Sequence, residues 1–100
     1  MKVFLSPLAE RKLMLLLDYL TENWSLGVKD EFLNELKRSF KQIELHPKSC
    51  QESTSIPNLY RCVVTRQTSI YYRINTEDIE IVTVIDNRQN PSNIIDEFKV

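Results

Sequence analysis

Three short runs between Tyr60 and Ile85 restrict this chain more than any other feature. They are Tyr60-Arg61-Cys62-Val63-Val64, Ser69-Ile70-Tyr71-Tyr72-Arg73-Ile74 and Ile79-Glu80-Ile81-Val82-Thr83-Val84-Ile85. Each can place apolar side chains on one face of a strand and polar ones on the other. The connections around Arg66-Gln67-Thr68 and Asn75-Thr76-Glu77-Asp78 are short enough to make consecutive hairpins. A small meander of this kind needs a cover over its apolar face.

The residues before it supply one. Lys2-Val3-Phe4-Leu5 reads as a first strand, ended by Ser6-Pro7. Serine is a good N-cap, and proline fits the first helical position, where its missing N–H is not needed. The first helix is expected from Pro7 to Asn23. Its stripe is Leu13, Leu17, Leu20 and Trp24, widened by Leu8, Leu15, Leu16 and Tyr19. A stripe this wide predicts contact with both the sheet and a second helix. Ser25-Leu26-Gly27 breaks it, with the only glycine free to adopt positive φ. A second helix is expected from Val28 to Glu44, with Phe32, Leu36, Phe40 and Ile43 inward, stopped by His46-Pro47. The short connection makes the two helices an antiparallel hairpin. Residues 46–58 read as a polar loop, long for a chain of 100 residues. Residues 90–100 read as a tail anchored by Ile94, Ile95, Phe98 and Val100. The expected fold is α+β, in the order β-α-α-β-β-β. Its helix hairpin packs on one face of a small, mainly antiparallel sheet, as a single domain over residues 1–100.

A three-residue first turn pairs Val64 with Ile70, Cys62 with Tyr72 and Tyr60 with Ile74. A four-residue second turn pairs Ile74 with Ile79 and Tyr72 with Ile81. This register collects Tyr60, Cys62, Val64, Ile70, Tyr72, Ile74, Ile79, Ile81 and Ile85 on the helix-covered face. A register one residue away buries Arg61 without a partner. The opposite face then carries Arg61, Val63, Tyr71, Arg73, Glu80, Val82, Val84 and Asp86. Arg61, Arg73 and Glu80 fall in one row, and two arginines opposite each other repel unless something negative separates them. The row is either a solvated arginine–glutamate ladder or a cationic groove for an anionic partner.

Charge and cysteine content narrow the chemistry. There are 13 Lys and Arg against 14 Asp and Glu, a net charge of −1. Nucleic-acid binding driven by bulk charge is therefore disfavoured. Any basic site is local: between Ser53 and Thr76 the charged residues are Arg61, Arg66 and Arg73, all positive. The longest apolar run, Leu13 to Leu17, is five residues, too short to cross a membrane. The N-terminus lacks the apolar length of a secretory signal. Cys50 and Cys62 form no metal pattern and are expected as reduced thiols in the cytoplasm. Neither a glycine-rich phosphate loop nor a metal cluster is legible, and no cofactor is expected. Tyr71, beside Arg73, offers a general acid/base or a stacking platform. Arg88 either reaches a phosphate or braces its own turn.

Several stretches, taken in order, carry a family likeness. They are Ser6-Pro7-Leu8-Ala9 opening the first helix, Tyr19-Leu20 with Trp24, Phe32 and Leu36, His46-Pro47, Tyr60-Arg61-Cys62, Ile70-Tyr71-Tyr72-Arg73-Ile74, and Ile79-Glu80-Ile81 leading to Asp86-Asn87-Arg88-Gln89-Asn90-Pro91. Together they resemble the RelE/ParE superfamily of type II toxin–antitoxin toxins, and the ParE-like branch in particular. The resemblance implies a small bacterial toxin held inactive by a cognate antitoxin, as a dimer or a toxin–antitoxin heterotetramer. RelE-like members cut messenger RNA on the ribosome with a basic cluster and often a late tyrosine or histidine. ParE-like members poison DNA gyrase and lack that cluster. Here Ser69 stands where RelE-like proteins often carry an arginine, and Asp86 replaces the late histidine. Arg61, Arg66, Arg73 and Arg88 remain as candidates for target or anion binding. RNA cleavage also needs a base and an acid. If the chain were a ribonuclease, Arg61, Arg73, Arg88 and Tyr71 would carry it. The missing base favours the ParE-like reading. Antitoxin binding is expected at surplus apolar residues: Met14 on the first helix, and Ile94 and Phe98 in the tail.

Overall fold

Ser6 joins the helical layer to the sheet with a single side chain. It follows strand β1 (Lys2–Leu5) and caps helix α1 (Pro7–Asn23). Its Oγ accepts the Ala9 N–H at 3.0 Å, and its hydroxyl donates to the Val82 carbonyl at 2.8 Å. Its own N–H donates to the Ile81 carbonyl at 2.9 Å. Helix α2 (Leu26–Leu45) follows, and then strands β2 (Gln51–Glu52), β3 (Tyr60–Val63), β4 (Thr68–Ile74) and β5 (Asp78–Asp86). This computed structural model describes residues 1–87. Arg88 and the expected tail anchors Ile94, Ile95, Phe98 and Val100 lie outside the described residues.

The sheet is five-stranded, in the order β1-β5-β4-β3-β2. β1 runs parallel to β5, and the other neighbours are antiparallel. The expected α+β architecture holds, with one added strand, since β2 lies inside the stretch read as loop. Both helices pack on one face. Ala9, Leu13, Phe32, Leu36 and Ile43 meet Cys62, Ile70, Tyr72, Ile79, Ile81 and Val84 there. Ile43, Ile70, Ile79 and Ile81 are fully enclosed, and each contributes about 1.5–3 kcal/mol by leaving water. The Tyr60 and Tyr72 rings stack at 5.3 Å, and the Tyr72 hydroxyl donates to the Pro47 carbonyl at 2.7 Å.

Several expectations are corrected. Leu15, Tyr19 and Trp24 belong to the predicted stripe but are exposed, Trp24 by 67%. Helix α2 starts earlier than expected, because Ser25 caps it by accepting the Val28 N–H at 3.1 Å. Gly27 is helical and its φ is not positive. The first hairpin is displaced by two residues: Tyr60 pairs with Tyr72, Arg61 with Tyr71 and Cys62 with Ile70. A two-residue displacement keeps every side chain on its expected face.

A β-bulge has the larger effect. Between Tyr71 and Tyr72 the partner on β5 jumps from Thr83 to Ile81, leaving Val82 as the extra residue. Side chains beyond a bulge change face. Val84 therefore enters the helix-covered core, and Ile85 joins Leu59, Tyr71 and Val82 in a second apolar cluster, reversing the expected assignment of both. The Val82 carbonyl that Ser6 satisfies belongs to this bulge. Residues 53–59 are not wholly polar filler either, since Ile56 packs on the second cluster. Their turn is closed by Ser53, whose Oγ accepts the N–H groups of Ser55 at 3.2 Å and Ile56 at 3.1 Å. Asn58 sits at φ 65°, a left-handed conformation that asparagine tolerates.

Candidate functional site

The face away from the helices presents an ordered cation near the β3–β4 turn. Arg61 faces Tyr71 across the hairpin. Its Nε donates to the Ser69 hydroxyl at 3.4 Å, and Nη2 donates to Asn87 Oδ1 at 3.0 Å. The Ser69 hydroxyl also donates to Asn87 Oδ1. Asn87 is the organiser of this corner. Its Nδ2 donates to the carbonyls of Thr65 at 3.3 Å and Arg66 at 2.9 Å, and its backbone N–H donates to the Gln67 carbonyl at 2.8 Å. An asparagine has two side-chain donors and one acceptor oxygen with two lone pairs, and all are engaged here. The residue following β5 thus ties the end of the sheet to the hairpin turn.

The turn itself is closed by the Val64 N–H, donating to the Thr68 carbonyl at 2.9 Å. Thr65 Oγ1 accepts the N–H groups of Gln67 at 3.3 Å and Thr68 at 3.2 Å. This rigid corner holds Arg61 at the surface. Contacts among the described residues take two of its five N–H donors, and the rest can meet a carboxylate or phosphate. Arg66 is exposed on the same turn.

The expected row of Arg61, Arg73 and Glu80 is corrected. The two-residue displacement sets Tyr71, rather than Arg73, opposite Arg61. Arg73 pairs with Glu80 instead, Nε to Oε1 at 3.5 Å. The two arginines therefore avoid each other by register and need no anion between them. Tyr71 is not the half-exposed tyrosine expected; it is 3% exposed, packed with Leu59, Val82 and Ile85. Met14 is exposed on α1, as is Leu15, beside a shallow groove lined with Pro7, Glu10, Arg11 and Asp18.

Two groups on the helix-covered face hold their protons unusually tightly. Burial pushes the Cys62 thiol up to about 12, helped by the neighbouring Cys50 thiol. Burial also raises Tyr72, with Cys50 as the second cause. Both shifts disfavour the deprotonated form, so neither group serves as a base at neutral pH. Among the described residues no group of three or more His, Cys, Asp or Glu side chains could hold a metal, and no helix is long and apolar enough to cross a membrane. Sequence reasoning missed Asn87 and Thr65 as site residues, and it noted Ser69 only as a departure from a family pattern. The signal for Asn87 was its place directly after a strand, where an amide can reach a neighbouring turn.

Comparison with known proteins bears on the whole of this architecture. Residues 3–91 match the family model described as the ParE toxin of the type II toxin–antitoxin system parDE. No curated protein matches. Among solved structures, the chain is similar to the chromosomal ParDE toxin–antitoxin system from P. aeruginosa, with a TM-score of 0.74 and 12% identity, covering 86% of this chain and 95% of that one. It is also similar to the YoeB dimer from Staphylococcus aureus, with a TM-score of 0.60 and 12% identity, covering 89% of this chain and 98% of that one. At this identity the likeness is one of fold.

Proposed function

Because this chain belongs to the ParE toxin family of type II toxin–antitoxin systems, we propose that it arrests growth by binding a target such as DNA gyrase rather than by cutting RNA. The observation that carries this reading is the company Arg61 keeps. Its partners are a serine hydroxyl and an asparagine amide, groups that give and accept hydrogen bonds without titrating near neutral pH. Cleavage of RNA asks for a proton acceptor and donor beside the charge stabiliser. Tyr71, the residue nominated for that work, is buried, and Arg73 is engaged with Glu80. What remains suits recognition: Arg61 and Arg66 on a braced hairpin, facing an acidic or phosphate-bearing partner. Arg88 is assigned to the same role from sequence alone.

A type II toxin has a cognate antitoxin. We place part of its docking surface on α1, where Met14 stands 60% exposed with Leu15 and Tyr19 nearby. Exposed apolar side chains on one helix suit an amphipathic segment that folds on binding. Ile94 and Phe98 are assigned to the same contact from sequence. The working compartment is the cytoplasm, where the target resides.

Purified protein is tested against DNA gyrase in a supercoiling assay and against messenger RNA on translating ribosomes. The expected result is loss of supercoiling with intact message, and at least about tenfold weaker inhibition by Arg61→Ala, the loss of a charge-assisted contact. Message cut within codons would overturn the binding reading in favour of a ribosome-dependent endoribonuclease. Normal growth on induction of soluble protein without antitoxin would count against both activities.

A further inference from the structure

Cys62 lies in β3, and Cys50 immediately precedes β2, the strand that pairs with β3. β2 pairs with β3 as Gln51 to Arg61 and Glu52 to Tyr60, and continuing that register one residue past the end of β2 brings Cys50 opposite Cys62. The Ser53 N–H donates to the Leu59 carbonyl at 2.7 Å, which makes that pair a hydrogen-bonded one. Pair types alternate along an antiparallel ladder, so Cys50 and Cys62 fall at a non-hydrogen-bonded position, where Cα atoms approach to about 4.5 Å. Disulfides form at Cα separations of about 4.4–6.8 Å. Each thiol is close enough for Cys50 to disfavour ionisation of Cys62. Cys50 packs against the core cluster that contains Cys62, and both are free.

We propose that Cys50 and Cys62 form a redox modification site, at which a small-molecule disulfide such as oxidised glutathione converts the pair into a cross-strand bridge. The order of events follows exposure. Cys50 is partly exposed and Cys62 is buried. Cys50, as thiolate, attacks one glutathione sulfur, forming a mixed disulfide and releasing one glutathione thiolate. Cys62 then loses its proton to solvent and attacks the Cys50 sulfur, forming the bridge and releasing the second glutathione. The protein gives up two electrons and two protons, and one oxidised glutathione becomes two reduced ones. The bridge closes the segment that contains β2, the Ser53 turn and the first two residues of β3. It locks Ile56 and Leu59 over Tyr71 and Val82 and fixes the strand position next to Arg61. This inference stands on the strand pairing and does not depend on the identity of the target.

The test uses the folded full chain incubated with oxidised glutathione and read by intact mass and peptide mapping. The expected product has lost two hydrogens and carries a Cys50–Cys62 bridge within one chain. Its formation from the mixed disulfide rises about tenfold per pH unit around pH 8, as the Cys62 thiolate fraction does. Cys62→Ser stops at a glutathione adduct on Cys50. Cys50→Ser gives no product in the same time. Cleavage within residues 53–58 by a nonspecific protease slows at least about tenfold after bridging, because that segment opens less often. A wild-type chain that keeps glutathione on Cys50 without resolving, or that links only to a second chain, would overturn the proposal.

Discussion

Replacing Ser6 by alanine removes two hydrogen bonds that meet at one buried oxygen. The first is the cap on α1, from the Ala9 N–H at 3.0 Å. Its loss costs about 1 kcal/mol, within a range of about 0.5–2. The second is the donation to the Val82 carbonyl at 2.8 Å. That carbonyl sits at the bulge, where the ladder is interrupted, and Val82 is buried. Leaving it unpaired costs a further 1–3 kcal/mol or so. The sum is roughly 2–4 kcal/mol, a large share of the stability of a small domain. With an m-value of about 1–1.5 kcal/mol per molar for urea, the midpoint falls by about 2 M. The melting temperature falls by about 10–20 °C. Far-UV circular dichroism during urea titration measures the change. Two further variants separate the terms. Ser6→Gly keeps capping to within a few tenths of a kcal/mol but loses the donor to Val82. Ser6→Asp accepts from Ala9 but cannot donate, and it sets a carboxylate against the carbonyl. Both should fall well below the wild type. A Ser6→Ala protein within about 0.5 kcal/mol of wild type would refute the reasoning, since the bulge carbonyl would then need no partner.

Other perturbations have equally definite outcomes. Gly27→Ala should stabilise the protein by about 0.4–1 kcal/mol in the same titration, because Gly27 is helical and an added Cβ meets only Ser25 Oγ, at 3.6 Å. Asn87→Ala should cost about 1–3 kcal/mol and weaken target binding together with Arg61→Ala, without additivity between the two; a double-mutant cycle checks this. Glu80→Ala should change stability by less than about 1 kcal/mol, its pairing with the half-exposed Arg73 being screened by water. Alkaline pH should destabilise the fold. The folded-state values of Cys62 and Tyr72 are raised, so their contribution is complete below pH 9 or so, where the unfolded groups stay protonated. It is lost as pH rises toward the folded-state value of Cys62, about 12. Equilibrium unfolding between neutral pH and pH 11 measures the slope.

The helices and the faces of the first hairpin were legible because periodicity reports them directly. Phe32, Leu36 and Ile43 recur at helical spacing, and all three are buried. The hairpin shift of two residues left the faces intact, since only odd displacements exchange them. The bulge was not legible. Ile79 through Ile85 alternates plausibly without it, and the partner of its carbonyl, Ser6, is 76 residues away in the chain. Misplacing it exchanged Val84 with Ile85. Leu15, Tyr19 and Trp24 misled for a different reason: a surplus of apolar residues on a helix looks the same whether a sheet or a partner protein covers them. At the site, the cations could be read and their organiser could not. Arg61 announces itself by charge, whereas Asn87 matters through five hydrogen bonds in the fold.

The parallel pairing of β1 with β5 also sets a schedule for synthesis. β5 lies inside the sheet, between β1 and β4, and Ser6 and Val82 are 76 residues apart. At about 5–20 residues per second, a nascent β1 waits roughly 4–15 s for its neighbour. During that interval the first helix has its capping serine but not the sheet that would bury its inner face. A chain cut short before Asp78 has no strand to receive β1 at all. Assembly of the sheet is therefore gated by completion of the last described strand, and truncated products have no route to the native sheet.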